Sequence, residues 1–142
     1  MTIDEFLRMQ EQQSTRKQQS TRKRPSDDEH RIQVACVRWF KQQYPFFAHN
    51  LFAVPNGGRR DAVTGARLKA EGVLAGVADL ILLKSNRFYG ALLIEMKTRK
   101  GKQQQTQREW QQKITADGYR YVICRSFDDF RREVNDYIAH IP

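Results

Sequence analysis

The 142-residue chain is short of cysteine and proline, with two and four respectively, and acidic residues are outnumbered by basic ones, 16 to 25. Two cysteines, Cys36 and Cys124, both inside apolar stretches and without metal-ligand spacing, exclude a disulfide scaffold or zinc ribbon. They read as buried free thiols in a reducing compartment. No apolar run approaches the roughly 18 residues of a membrane span. Met1–Gln13 lacks a basic-then-apolar leader pattern, so a cytoplasmic rather than a secreted protein is expected. Yet 39% hydrophobic residues are enough for a packed core, and the length suits one ordinary domain.

What is abundant is positive charge, a formal net of +9. Residues 1–28 hold six basic and five acidic residues, so almost all of the excess belongs to residues 29–142. It gathers in Arg59, Arg60, Arg67 and Lys69, and again in Lys97, Arg99, Lys100, Lys102, Arg108 and Lys113. Such runs form either a solvated face or a nucleic-acid surface, and their proximity to a candidate catalytic strand favours the second.

The chain divides accordingly. Residues 1–28 contain the hexapeptide QQSTRK twice in tandem, Gln12–Lys17 and Gln18–Lys23, too polar to build a core and expected as a flexible linker. Ahead of it Thr2 and Glu5 form a capping-box pattern over an Ile3, Phe6, Leu7 stripe. A short helix is expected there, docking on a partner or a second subunit.

In the body, Ser26 and Asp27 can cap a helix ending at Pro45, with Ile32, Cys36, Trp39 and Phe40 as its core stripe and Glu29 and Gln33 at the stripe's edge. Phe46–Val54 reads as extended, ended by the turn Pro55-Asn56-Gly57-Gly58, and Thr64–Glu71 as a short basic helix. Leu80–Leu83 and Ala91–Lys97 read as a hairpin about Ser85-Asn86-Arg87. A helix over Gln103–Asp117, a strand over Tyr119–Cys124 and a final helix capped by Ser126 follow. The expected class is α/β, a central mixed sheet flanked by helices.

Three polar residues interrupt this apolar hairpin: Asp79, Glu95 and Lys97. Glu95 and Lys97, two apart on a strand, leave by the same face. A turn centred between Arg87 and Phe88 sets Asp79 opposite Met96, beside both. Two carboxylates and an ammonium suit a hard divalent cation, bound through oxygen at about 2.1 Å for Mg²⁺, and phosphodiester hydrolysis. A Glu95–Lys97 surface salt bridge with Asp79 as a cap is the plain alternative.

The order of Glu29 with Gln33, Pro55-Asn56-Gly57-Gly58, Gly72-Val73, Gly76-Val77-Ala78-Asp79-Leu80, Glu95-Met96-Lys97 and Gln107 resembles the virus-type replication-repair nuclease (VRR-NUC) family of the PD-(D/E)XK nuclease superfamily. The resemblance spans Glu29 to Ile138. It implies a restriction-endonuclease-like core. It also implies a Mg²⁺ or Mn²⁺ site from Asp79, Glu95, the Met96 carbonyl and Glu29, with Lys97 catalytic and Gln107 supporting. Asn56, Gly57, Arg59, Arg60, Lys69, Arg99, Lys100 and Lys102 are the expected DNA contacts. The family often has proline before the aspartate; here Ala78 stands there, which changes local rigidity but removes no ligand. Small members of the family resemble structure-specific nucleases, some of them homodimers acting on branched DNA such as four-way (Holliday) junctions, and occur in phages. The resemblance therefore implies those properties too. A non-catalytic DNA-binding module, or a nuclease for linear ends or nicks, are the rival readings.

Overall fold

The computed structural model describes residues 1–17, 25–55 and 62–142. Five helices, α1 (Ile3–Lys17), α2 (Pro25–Gln43), α3 (Ala62–Ala70), α4 (Gln105–Ala116) and α5 (Phe127–Ala139), accompany strands β1 (Leu51–Ala53), β2 (Leu80–Leu82), β3 (Leu92–Met96) and β4 (Arg120–Cys124). The strands form one sheet in the order β1-β2-β3-β4, with the first two pairings antiparallel and β3–β4 parallel. This is the mixed, helix-flanked α/β sheet expected from the sequence.

One face of the sheet, Leu51, Leu80, Leu82, Leu92, Ile94, Met96, Val122 and Cys124, packs against α2 and α5. The stripe on α2 supplies Cys36 and Phe40 in full, with Ile32 and Trp39 half-buried at its rim, and α5 adds Phe130, Val134 and Tyr137. Both cysteines are free and buried, and burial pushes the Cys124 thiol up to about 12, so neither is a nucleophile at neutral pH. The opposite face, Ala91, Leu93, Tyr121 and Ile123, lies under Trp110 and Ile114 of α4, so Trp110 is a core residue.

Gly76, at φ +89°, comes so close to α4 that a Cβ there would stand 2.7 Å from the Thr106 carbonyl carbon and oxygen. That contact brings the segment leading to Asp79 against the start of α4, where only glycine fits.

Several expectations need correction. Proline sits at the start of α2, so Ser26 and Asp27 lie in its first turn rather than ahead of it. Pro45–Asn50 is a 3-10 helix, and only Leu51–Ala53 of the expected extended segment joins the sheet. The hairpin register is shifted by one residue: Leu80 faces Ile94, not Glu95. The connection is a structured loop in which the Asn86 side-chain oxygen accepts the Phe88 and Tyr89 amides, and its amide donates to the Tyr137 carbonyl at 3.1 Å. Loop and α5 together set the register, and neither is visible in the strand pattern.

At the N-terminus, Thr2 and Glu5 do exchange the expected bonds. The helix they open is longer than expected and includes the first QQSTRK copy, whose Gln, Arg and Lys are good helix formers once a helix is nucleated. It lies along α2 of the same chain, with the Arg38 guanidinium over the Phe6 ring at 5.3 Å. The second copy, Gln18–Lys23, falls outside the described residues. Among the described residues no helix is long and apolar enough to cross a membrane.

Candidate active site

Asp79 enters the sheet immediately before β2, and its carbonyl accepts the Val54 amide at 2.8 Å, which fastens it to the end of β1. Its Oδ2 accepts the Met96 amide at 2.7 Å. Continued by one residue, the register sets Asp79 across from Glu95 rather than Met96, so the one-residue shift brings the two carboxylates closer than expected.

Among the described residues Glu95 is the buried charged one, 2% exposed. Its Oε1 accepts the Gln107 side-chain amide at 2.9 Å and lies 3.6 Å from the Lys97 ammonium. Its Oε2 accepts the Tyr121 hydroxyl at 3.5 Å. Burial, then the Asp79 charge and a hydrogen bond with its carboxyl, push the Glu95 carboxyl up to about 8, against the opposing pull of Lys97. Two carboxyls thus share the site, and a nearby positive charge would favour the ionised form of Glu95.

Gln107 reaches Glu95 because it also closes a capping box. Its side-chain oxygen accepts the Gln104 amide at 2.8 Å, leaving its NH₂ to point at the carboxylate. Lys97 continues β3 through its amide to the Cys124 carbonyl at 2.9 Å, and its side chain is only 11% exposed.

Glu29, half-buried on α2, has its carboxyl raised by burial first; the Lys97 charge opposes the shift and the Asp79 charge adds to it. It therefore faces both, without a hydrogen bond or ion pair to either. Among the described residues no three His, Cys, Asp or Glu side chains converge as a metal cluster. What the fold brings together is Asp79, Glu95, Lys97 and Gln107, with Glu29 at the margin. The Met96 side chain points into the opposite core, so only its backbone belongs to this site.

Of the expected DNA contacts, Arg99, Lys100 and Lys102 are exposed on the turn just after Lys97. Lys69 is exposed on α3 and lines an open groove of about 760 Å³ between α3 and α4. Asn56, Gly57, Arg59 and Arg60 lie outside the described residues. His30, beside Glu29, is exposed.

Two neighbours of the site were not singled out from the sequence. Tyr121 on β4, burial of which raises its hydroxyl's pKa, bonds Glu95 and accepts Gln103 Nε2 at 3.4 Å. Its signal was a hydroxyl-bearing residue at an inward strand position. Arg125, at the end of β4, donates to the turn after Lys97. Nothing local marks it.

The donor set consists of oxygens, and one carboxyl is buried beside another, which fits a hard divalent cation and does not fit a thiophilic one.

A family model described as the VRR-NUC domain matches residues 27–128. A solved structure, "VRR_NUC domain protein", is similar with a TM-score of 0.69 and 24% sequence identity, covering 78% of this chain and 88% of that chain. At that identity the likeness speaks for the fold, and it agrees with a PD-(D/E)XK-like core. A search of curated proteins finds no match.

Proposed function

The chain belongs to the VRR-NUC domain family, a nuclease-type family with DNA as the implied substrate, and from that premise we propose that it is a Mg²⁺- or Mn²⁺-dependent DNA endonuclease. The observation that carries the reading is Glu95, a fully buried carboxyl beside Asp79, contacted by Lys97 and Gln107. A binding module has no use for a buried, poorly ionising carboxyl set beside a second one.

In this reading Asp79 and Glu95 hold the cation, with the Met96 carbonyl and Glu29 completing the set. When bound, the ion supplies Lewis-acid charge at the scissile phosphate. Gln107 keeps Glu95 in one rotamer by donating to Oε1. The Lys97 ammonium, beside that same oxygen, orients the attacking water and offsets charge growing on the phosphate. Arg99, Lys100, Lys102, Lys69, Arg59 and Arg60, with the Asn56-Gly57 turn, hold backbone phosphates without reading bases, so affinity falls steeply with salt. Residues 29–142 form the catalytic domain and residues 1–28 an appendage, in line with a family match that begins at residue 27.

Branched DNA as substrate rests on the family resemblance. A homodimer would place two sites on a two-fold junction. The test incubates the protein with linear duplex, single-stranded and four-way-junction DNA in Mg²⁺, Mn²⁺ or EDTA. Cleavage is expected in both metal arms, fastest on the junction, and absent in EDTA. Lys97→Ala should bind DNA without cutting it. Binding without cleavage of any substrate by the unaltered protein would establish the binding module instead. Equal rates on duplex and junction would remove the branched preference, and a monomeric mass in solution would remove the dimer.

A further inference from the structure

The turn after Lys97 is held from beneath by a single side chain. Arg125 Nη1 donates to the Thr98 carbonyl at 2.8 Å and the Gly101 carbonyl at 2.6 Å, with the Arg99 carbonyl a longer 3.5 Å away. The Gly101 amide closes the turn onto the Thr98 carbonyl and Oγ1. Arg125 forms no ion pair among the described residues; its own amide donates to Asp129 Oδ2 at 2.9 Å, which ties it to the start of α5.

A trans peptide is planar, so its C=O and N–H point in opposite directions. Carbonyls 98, 99 and 101 are drawn inward to Arg125, and the amides that follow them, those of Arg99, Lys100 and Lys102, are therefore turned outward. None of these three amides has a hydrogen-bond partner among the described residues, and all three side chains are exposed. Outward amides, basic side chains and a guanidinium beneath them, with no acidic residue in the turn, are the elements from which backbone anion sites are built.

We propose that turn 98–102 is a backbone-phosphate subsite beside Lys97, and that Arg125 is its positioning residue. The proposal rests on the nuclease reading for its substrate and deepens it, by assigning phosphate recognition to main-chain amides as well as to side chains. The turn passes close to the catalytic lysine: a Cβ built on Gly101 would meet Lys97 Cδ at 3.5 Å and Thr98 Oγ1 at 3.2 Å. The turn thus lies on the Lys97 stem, and a phosphate seated on it would present its neighbour along the strand to the ammonium. Lysine at position 125 would keep the charge, but its terminal nitrogen lies one bond nearer the backbone and would fall short of the carbonyls that Nη1 meets.

The test follows backbone amides of the full chain by ¹H–¹⁵N NMR during titration with inorganic phosphate, then with a short single-stranded oligonucleotide. Saturable shifts at Arg99, Lys100 and Lys102 are expected. Arg125→Lys should abolish them and raise KM for DNA about tenfold, with a smaller change in kcat. Thr98→Val, which leaves Arg125 in place, should weaken the response without abolishing it. A merely structural Arg125 would lower the melting temperature of Arg125→Lys but leave the amide response and KM unchanged, and that result overturns the proposal. So do silent amides in the unaltered protein, or shifts spread evenly over basic surfaces. A protein whose turn responds but which cuts no DNA would overturn the nuclease reading alone; one that cuts DNA with silent amides overturns this subsite alone.

Discussion

Strand β3 is buried from end to end, yet its two faces are built differently. Leu92, Ile94 and Met96 enter a wholly apolar layer closed by two helices. Leu93 and Glu95 enter the other side, where among the described residues α4 is the helix packed on the sheet and the β1–β2 half is less covered: Phe52 is 43% exposed and Ile81 half-buried. On the closed face the buried Tyr137 hydroxyl is already engaged with the Lys84 carbonyl and is not aimed at β3. The open face offers Gln107, Lys97 and Tyr121 at the edge of solvent. Burying a charge costs several kcal/mol unless such partners are present, so the asymmetry of cover decides where chemistry can sit on an otherwise apolar strand.

Neighbouring residues on opposite faces should therefore fail in opposite ways. Glu95→Gln is expected to reduce cleavage on the order of a thousandfold while leaving the fold intact. Ile94→Ala should cost about 2–5 kcal/mol of stability through a cavity, with the cleavage rate of the folded fraction preserved. Denaturant titration alongside single-turnover cleavage separates the two. A Glu95→Gln protein that cuts normally would break the comparison, as would an Ile94→Ala protein that is stable but inactive.

Acid and base should expose the same asymmetry in the metal-free protein. The Glu95 carboxyl titrates near 8 in the folded chain against an ordinary 4.5, so between those values the folded state holds a proton that the unfolded state has released. Stability must then fall as pH rises through that window. Melting temperatures measured in EDTA from pH 5 to 8 should show the decline. Glu95→Gln should flatten it, and so should saturating Mg²⁺ in the unaltered protein. A decline that persists in Glu95→Gln would place the titrating group elsewhere.

The sequence made much of this legible, because the two periodicities are local. The spacing of Ile32, Cys36 and Phe40 gave the face of α2, and the parity of Glu95 and Lys97 put both on one side of β3. Trp110 was legible as a core residue from its helical stripe with Ile114, whereas Gln107 was marked for the site by the family resemblance and not by spacing. What could not be read depends on contacts distant in sequence. The hairpin register is set by Asn86 bonding Tyr137, 51 residues on, and the turn after Lys97 by Arg125, more than 20 residues on. Glu29 shows the same limit: helical spacing brings it to the site's edge, but whether it joins the carboxylate pair is decided by how α2 seats on the sheet.

The smallest expected effect tests how far the open face extends its polar support. Tyr121 donates to Glu95 Oε2 across a long 3.5 Å, and its ring packs edge-on against Trp110 with centroids 6.1 Å apart. Tyr121→Phe keeps the ring and removes only the hydroxyl. Gln103 then loses one partner but keeps Gln111 at 2.8 Å, so no buried amide is left without a bond. Stability should change by less than about 1 kcal/mol. Cleavage should fall about three- to fivefold, because Glu95 Oε2 loses its donor while Oε1 keeps Gln107 and Lys97. Single-turnover rates across pH would show the cause: a carboxyl deprived of a donor to its charged form should need a higher pH to reach full activity. An unchanged rate and profile would confine the working site to Asp79, Glu95, Lys97 and Gln107, and would return Tyr121 to the apolar layer shared with Trp110.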